Sequence, residues 1–298
     1  MTKRALVLGG GGPVGIAWEA GLLAGLAEGG VDLAKADRIV GTSAGSFVGA
    51  QLALGRAARE LADAIIAEGE RTTQGPPTAG ARPAGPTADL TVLFRKMNEA
   101  AAGDRDPQEV RREIGAFSLS AETMDEDAFI KTFGRGFSGL PQDTWPGGDF
   151  VCTAVDALTG EFVVWNRDAG VWVVRAVASS CSVPGVYPAV TLKGRRYIDG
   201  GMRSSTNADL AAGFGEVVVV AVRGAPDDPR TVRLRQTVDR EIAALKDGGA
   251  TVEFIVPDEA GVSAFGANLM DFRRRPGAAR AGEAQGRDLS QRLRAFWG

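Results

Sequence analysis

The first 55 residues contain the same succession twice: a short apolar strand, a turn with glycine, and a helix. Arg4–Leu8 and Arg38–Val40 have the composition of short buried strands. Apolar residues then follow at helical spacing over Ile16–Glu28, and again after the second turn as far as about Leu54. A strand, a helix and a second strand form a βαβ unit, which belongs to a parallel sheet covered by helices. The pattern therefore predicts an α/β fold.

The rest of the chain continues this alternation around a helical insertion. Predicted strands cover about residues 150–155, 161–165, 216–222 and 252–256, with another ending at 198, and predicted helices cover 90–102, 107–117, 121–133, 174–180, 231–245 and 283–297. Residues 72–89, rich in Pro, Gly, Ala and Thr, predict a loop. We expect one domain over residues 1–298, a three-layer α/β/α sandwich with a mainly parallel sheet. Residues 72–148 would form a loop and helical cap insertion, and 271–298 a basic C-terminal tail.

The chain contains no histidine, and this absence excludes several catalytic arrangements. A Ser-His-Asp triad, a Cys-His dyad and a zinc site with histidine ligands all require that residue. A general base must therefore be Asp, Glu, Lys or Tyr. The two cysteines, Cys152 and Cys181, are too few for a disulfide framework or a four-cysteine metal site. Their apolar neighbours predict buried thiols in a reducing compartment.

Charge and hydropathy narrow the expected partners and location. The formal net charge of −3 argues against binding nucleic acid through bulk electrostatics. The apolar run Ala5–Leu8 is too short for a signal peptide, and no transmembrane helix is expected because no apolar stretch reaches 18 residues. The cytoplasm is the expected location. The arginine-rich tail has two interpretations, a solvated helix face or a transient contact with anionic lipid headgroups.

The glycine-rich turn after the first strand is the first candidate binding element. Gly10, Gly12 and Gly15 match the dinucleotide-binding pattern G-x-G-x-x-G, between a strand and a helix. That pattern also needs an acidic residue at the end of the second strand, where this chain has Gly41-Thr42-Ser43. Backbone N–H groups at such a turn can equally stabilise a developing oxyanion. Nucleotide binding is therefore the weaker of two interpretations.

The second turn carries the motif G-x-S-x-G, formed by Gly41, Ser43 and Gly45. This nucleophile elbow exposes a serine hydroxyl on a tight strand-to-helix turn, and the flanking glycines avoid side-chain clashes. The alternative is an ordinary turn in which the serine caps the helix. A strand before the motif, an apolar helix after it and the neighbouring glycine-rich turn favour Ser43 as a nucleophile.

Asp199 is the candidate base, because a predicted strand delivers it to the glycine turn Gly200-Gly201. The alternative is a structural Asp-Gly turn, which is common in proteins. An aspartate with the ordinary pKa of about 3.9 is ionised at pH 6. We therefore expect activity to lose its base well below pH 6, unless burial raises that pKa.

The glycine turn, GTSAG and DGG, in this order and without histidine, resemble the patatin-like phospholipase family. The stretches VCTAVDALTGEFVVW and SSCSVPGVYP are also similar to that family, and the resemblance covers about residues 4–56 and 150–222. It implies an α/β sandwich that hydrolyses acyl esters without a metal or cofactor. By this resemblance Ser43 would be the nucleophile, Asp199 the base, and Gly11 and Gly12 the oxyanion donors. The chain differs from the plant members of the family at one position of the glycine turn, where it has Val14 and they have a basic residue.

The motifs predict a serine acyl hydrolase, and the resemblance implies that it acts on lipid or lysophospholipid esters. Two alternatives stay open. One is a lipid acyltransferase, in which an alcohol replaces water as the acceptor. The other is a nucleotide-binding module that uses the glycine turn over residues 9–15.

Overall fold

The computed structural model describes residues 2–74, 91–134, 136–222 and 232–297. The strands are β1 Arg4–Leu8, β2 Arg38–Gly41, β3 Asp149–Asp156, β4 Phe162–Trp165, β5 Val190–Leu192, β6 Arg195–Asp199, β7 Glu216–Val220 and β8 Thr251–Ile255. The helices are α1 Gly12–Glu28, α2 Ala44–Ala53, α3 Ala58–Gln74, α4 Thr91–Ala102, α5 Pro107–Ser120, α6 Glu126–Gly134, α7 Val173–Ser180, α8 Val232–Asp247, α9 Glu259–Phe265 and α10 Arg275–Trp297.

The eight strands of the described ranges join one mixed sheet, with β3, β2, β1, β7 and β8 running parallel in that order. The remaining strands, β4, β5 and β6, are antiparallel to their neighbours. Strand β4 pairs along one edge of β3. On the other edge, β2 pairs with the first half of β3 and β6 with the second half, so that β2 and β6 meet end to end.

The sheet separates two helical layers, because alternate residues of each strand point to opposite faces. On β1, Leu6 and Leu8 pack in the larger core with α1, α2, α7 and α10. Ala5 and Val7 point to the other face, where Leu245 of α8 packs. The expected three-layer α/β/α sandwich with a mainly parallel sheet is confirmed, and its sheet also contains antiparallel strands.

Three elements are absent from the sequence predictions: α3, β5 and α9. In addition, α10 begins at Arg275, well before the predicted start near residue 283. The added turns contain Ala278, Ala279 and Gly282, which are small enough to pack closely on α1 but give no apolar periodicity. Of the loop predicted over residues 72–89, the first three residues end α3 and the others lie outside the described ranges.

The insertion helices pack onto the sandwich at two places. Leu93 of α4 and Ile114 of α5 pack against Val155 and Ile198, on the second face of the sheet beside Asp199. Helix α6 packs against α7 on the first face, where Phe129 stacks on Tyr187. A role of this insertion as a cap stays a prediction.

Arginines of the predicted basic tail pair with acidic residues elsewhere in the chain. Arg275 contacts Glu68 at 2.9 Å, Arg287 contacts Glu28 at 2.9 Å and Arg292 contacts Glu253 at 3.2 Å. Arg280 pairs with Glu70. These contacts fasten α10 to α1, α3 and β8. Within the described ranges, no helix combines the length and apolar character required to cross a bilayer.

Candidate active site

Ser43 lies in the sharp turn between β2 and α2. Its backbone has φ 51° and ψ −115°, a left-handed conformation that is uncommon for a residue with a side chain. Both flanking glycines are required by close packing. A Cβ atom on Gly45 would lie 2.1 Å from the Leu8 carbonyl oxygen, and one on Gly41 would lie 2.5 Å from Cα of Ser46. The turn therefore has the strained geometry expected of a nucleophile elbow.

The sheet register brings Asp199 to the level of this turn. Gly41 of β2 pairs with Cys152 of β3, and Asp199 of β6 pairs with Ala154 on the same edge. Ser43 stands two residues beyond Gly41, just as Ala154 stands two beyond Cys152. The carboxyl ends of β2 and β6 therefore converge on one point, where the Ser43 hydroxyl lies near enough to the Asp199 carboxylate to lower its pKa.

Burial changes the acid–base properties of Asp199. The residue is only 2% exposed, and this desolvation raises the pKa of its carboxyl from 3.8 to about 7. The nearby Ser43 hydroxyl, together with a hydrogen bond from the Gly201 N–H to Oδ1 at 2.7 Å, lowers the pKa and offsets part of this rise. Burial therefore raises the pKa of Asp199, which was the exception allowed for in the sequence analysis. We now expect Asp199 to lose its function as a base near pH 7 and not well below pH 6.

The glycine turn lies against Ser43 and presents two backbone donors. A Cβ atom on Gly10 would lie 3.3 Å from Cβ of Ser43. The Gly10 N–H donates to the Ser205 carbonyl at 2.7 Å. By contrast, the N–H groups of Gly11 and Gly12, at the start of α1, have no hydrogen-bond acceptor among the described residues. Unpaired N–H groups at a helix N-terminus are suited to bind negative charge.

A buried polar network fixes the turns that carry these groups. Asn207, which has φ 50°, donates from Nδ2 to Thr42 Oγ1 at 3.0 Å and to the Ser204 carbonyl at 2.9 Å. Thr42 Oγ1 also lies 3.0 Å from Thr153 Oγ1. The sequence interpretation missed this network, because no local pattern links Asn207 with residues more than 50 positions earlier.

The C-terminal end of α7 also contacts Ser43. The Ser43 N–H donates to Ser180 Oγ at 3.0 Å, and the Cys181 thiol donates to the Ser43 carbonyl at 3.1 Å. The sequence offered one signal for this contact: two small polar residues, Ser179 and Ser180, at the end of an apolar helix.

Glu19 is a buried carboxyl on α1, one helical turn after Gly15. Neither of its oxygens has a hydrogen bond of good geometry, although the Gly9 N–H lies near enough to lower its pKa slightly. Burial dominates and raises the pKa of Glu19 well above its ordinary range. A neutral carboxyl at this position leaves the neighbouring glycine turn without a competing negative charge.

Replacing Glu19 with methionine should stabilise the protein, and more so as the pH rises. Wild type loses stability above the unfolded-state pKa of about 4.3, because the unfolded chain releases a proton that the folded chain retains. The variant lacks this loss, so we expect its unfolding free energy to exceed that of wild type by about 1–3 kcal/mol at pH 8 and by less at pH 5. Guanidinium unfolding at both pH values measures the difference. Exposed Glu122→Met is the control, and an equal gain in both variants would contradict the prediction.

Neither a metal site nor the acidic residue of a dinucleotide fold accompanies the two turns. Among the described residues, no group of three or more acidic or cysteine side chains is arranged to hold a metal ion. The end of β2, where a dinucleotide-binding fold has an acidic residue, carries Gly41, and Thr42 and Ser43 of the elbow follow directly.

Most of the chain is similar to known proteins. The family model described as patatin-like phospholipase matches residues 6–212, which include both glycine turns and Asp199. An uncharacterized NTE family protein of Mycobacterium bovis and another of Mycobacterium tuberculosis are each 30% identical to the chain over 220 residues, or 73% of its length. The match covers only 30% of each relative, so the chain spans less than a third of their length.

Two solved structures are similar to the chain at low sequence identity. VipD from Legionella pneumophila aligns with a TM-score of 0.47 and 14% identity, over 98% of this chain and 67% of that one. The type III effector protein ExoU aligns with a TM-score of 0.38 and 16% identity, over 98% of this chain and 53% of that one. The family match, which covers more than half of the sequence, shows that the chain belongs to the patatin-like phospholipase family.

Proposed function

We propose that this protein is a serine acyl hydrolase that cleaves carboxylic ester bonds of lipids, in the manner of a phospholipase A or lysophospholipase. The observation that carries the proposal is that the Ser43 hydroxyl lies near the buried Asp199 carboxylate, with a glycine turn against Ser43 in which the N–H groups of Gly11 and Gly12 have no acceptor among the described residues. A strained serine, a base within reach and oxyanion donors are the components that acyl transfer requires.

In the proposed reaction, Ser43 Oγ attacks the acyl carbonyl carbon while its proton passes to Asp199. The N–H groups of Gly11 and Gly12 stabilise the negative charge that develops on the carbonyl oxygen. The alcohol leaves with the proton held by Asp199, and the acyl group stays on Ser43. Asp199 then removes a proton from water, which attacks the acyl-enzyme and releases the fatty acid together with the regenerated Ser43 hydroxyl.

The test must distinguish the proposed hydrolase from two alternative functions. A lipid acyltransferase would use the same acyl-enzyme with an alcohol as acceptor, and product analysis distinguishes the two outcomes. A nucleotide-binding module is less well supported, because Gly10 packs against Ser43 and β2 leads into the elbow without an acidic residue. The deciding experiment assays a panel of lipid classes for released fatty acid, with parallel titration of nucleotides. Nucleotide binding without ester cleavage would overturn the proposal.

The activity should rise with pH through a limb near 7. Asp199 must be ionised to accept the proton from Ser43, and its pKa is about 7. Below that pH, kcat/KM should fall about tenfold per pH unit, and above it the profile should level off. A neutral ester such as p-nitrophenyl butyrate avoids ionisation of the substrate itself. A flat profile between pH 5 and pH 8 would exclude Asp199 as the titrating base.

The proposed partners follow from the substrate. We propose a lipid or lysophospholipid as ligand, a transient contact with the membrane surface that contains it, and no nucleic-acid partner. A cytoplasmic location is supported by Cys152 and Cys181, which are both buried as free thiols.

A further inference from the structure

The end of helix α7 holds the main chain of Ser43 from a distant part of the sequence. Ser180 is fully buried and accepts the hydrogen bond from the Ser43 N–H at 3.0 Å, across 137 positions. Cys181, 7% exposed, donates its thiol hydrogen to the Ser43 carbonyl at 3.1 Å. One helix terminus therefore contacts both polar backbone groups of the elbow serine.

The two contacts differ in how much the elbow depends on them. The Ser43 carbonyl also accepts hydrogen bonds from Ser46, at 2.6 Å from Oγ and 2.9 Å from N. For the Ser43 N–H, Ser180 Oγ is the one acceptor among the described residues. With φ at 51°, this N–H belongs neither to the β2 ladder nor to α2, and a buried N–H without an acceptor is strongly disfavoured.

We infer that Ser180 is a positioning residue for Ser43. Its hydroxyl holds the elbow in the left-handed conformation that directs Ser43 Oγ toward the acyl carbon and keeps it in contact with Asp199. The inference rests on the proposed function, because it explains the conformation of Ser43 by the role of Ser43 as the nucleophile. Ser180 itself exchanges no proton with the reacting atoms.

Ser180→Ala should therefore slow chemistry more than it weakens binding. Without its acceptor, the Ser43 N–H can be satisfied only if the turn rotates, and this rotation displaces Oγ. We expect kcat and the second-order rate of fluorophosphonate labelling to fall roughly 10- to 100-fold, while KM stays within about twofold of wild type.

Ser179→Ala is a matched control from the preceding position. Ser179 is also fully buried on α7, but its Oγ accepts from Trp165 Nε1 at 3.1 Å and donates to the Ala176 carbonyl at 2.7 Å. Both variants remove one buried hydroxyl from the same helix, and only Ser180→Ala removes an atom that contacts Ser43. Ser180→Cys adds an intermediate, because a thiol is a weaker acceptor of similar shape.

The experiment measures kcat, KM, fluorophosphonate labelling rate and thermal unfolding for wild type and the three variants. The expected order of labelling rate is wild type and Ser179→Ala first, then Ser180→Cys, then Ser180→Ala. Should Ser180→Ala fail to fold, a reduced rate in folded Ser180→Cys decides the matter. Wild-type rates in the folded Ser180 variants, or an equal loss in Ser179→Ala, would overturn the inference alone. If wild type itself is not labelled at Ser43, the proposed function fails as well.

Discussion

Replacing Ser43 with alanine is expected to reduce ester hydrolysis by roughly 10⁴-fold or more, because the acyl group then has no atom to which it can transfer. The substitution removes one oxygen from a residue that is 7% exposed. Alanine carries a Cβ atom as serine does, so the strain in the backbone of the elbow stays the same. We therefore expect the variant to fold with wild-type thermal stability and to bind lipid as before. Fatty-acid release by wild type and variant, at equal protein concentration, measures the loss.

Covalent labelling tests the same residue independently of the choice of lipid. A fluorophosphonate reacts with an activated serine by forming a phosphorus–oxygen bond and releasing fluoride, and mass spectrometry of the digested protein should place the adduct on Ser43. Ser263, exposed on α9, provides a control, since Ser263→Ala should keep full activity and full labelling. An adduct on another serine, or an active protein that takes up no label, would disprove the assignment.

Asp199→Asn is expected to lower kcat by roughly 10²-fold or more, the range typical for loss of a general base. The amide keeps the shape of the carboxyl group but cannot accept the proton from Ser43. Substrate binding should change little, because the carboxylate contacts Ser43 and not the acyl chain. Above pH 7 the variant should be at least as stable as wild type, because the substitution removes a buried charge. The acid limb near pH 7 should also disappear from whatever activity remains.

Two other aspartates provide controls for this substitution. Asp209 forms an ion pair with Arg203 at 2.7 Å, and Asp209→Asn should retain kcat within a few-fold. Asp156 is buried and accepts hydrogen bonds at 2.9 Å from the N–H groups of Leu158 and Thr159 in the hairpin turn. Asp156→Asn should therefore reduce stability without changing kcat of the folded protein. If Asp199→Asn stays near wild type while one of these variants collapses, the base is misassigned even if Ser43 is correct.

The sequence predicted most of the strands and helices because their signals are local. The strand β1 has the same bounds in the sequence and in the structure, Arg4–Leu8, since a short apolar run followed by glycines defines both ends. The elements that it missed have a different physical basis. Strand β5 has only three residues and exists because it pairs with β6, and the first turns of α10 are stabilised by close packing of small residues on α1. Neither effect produces periodicity in the residues themselves.

By itself, the sequence determined the two glycine turns and the candidate nucleophile. Each lies within a few consecutive residues, and for Gly10, Gly41 and Gly45 the requirement for glycine comes from atoms that are neighbours along the chain or in the adjacent βα unit. Only the tertiary structure decided that Asp199 reaches Ser43, because this depends on the antiparallel pairing of β6 with β3 on the edge that β2 also occupies. The pKa near 7 and the contact from Ser180 likewise arise from burial and from residues far apart in sequence, which become neighbours only when the sheet and its helices pack together.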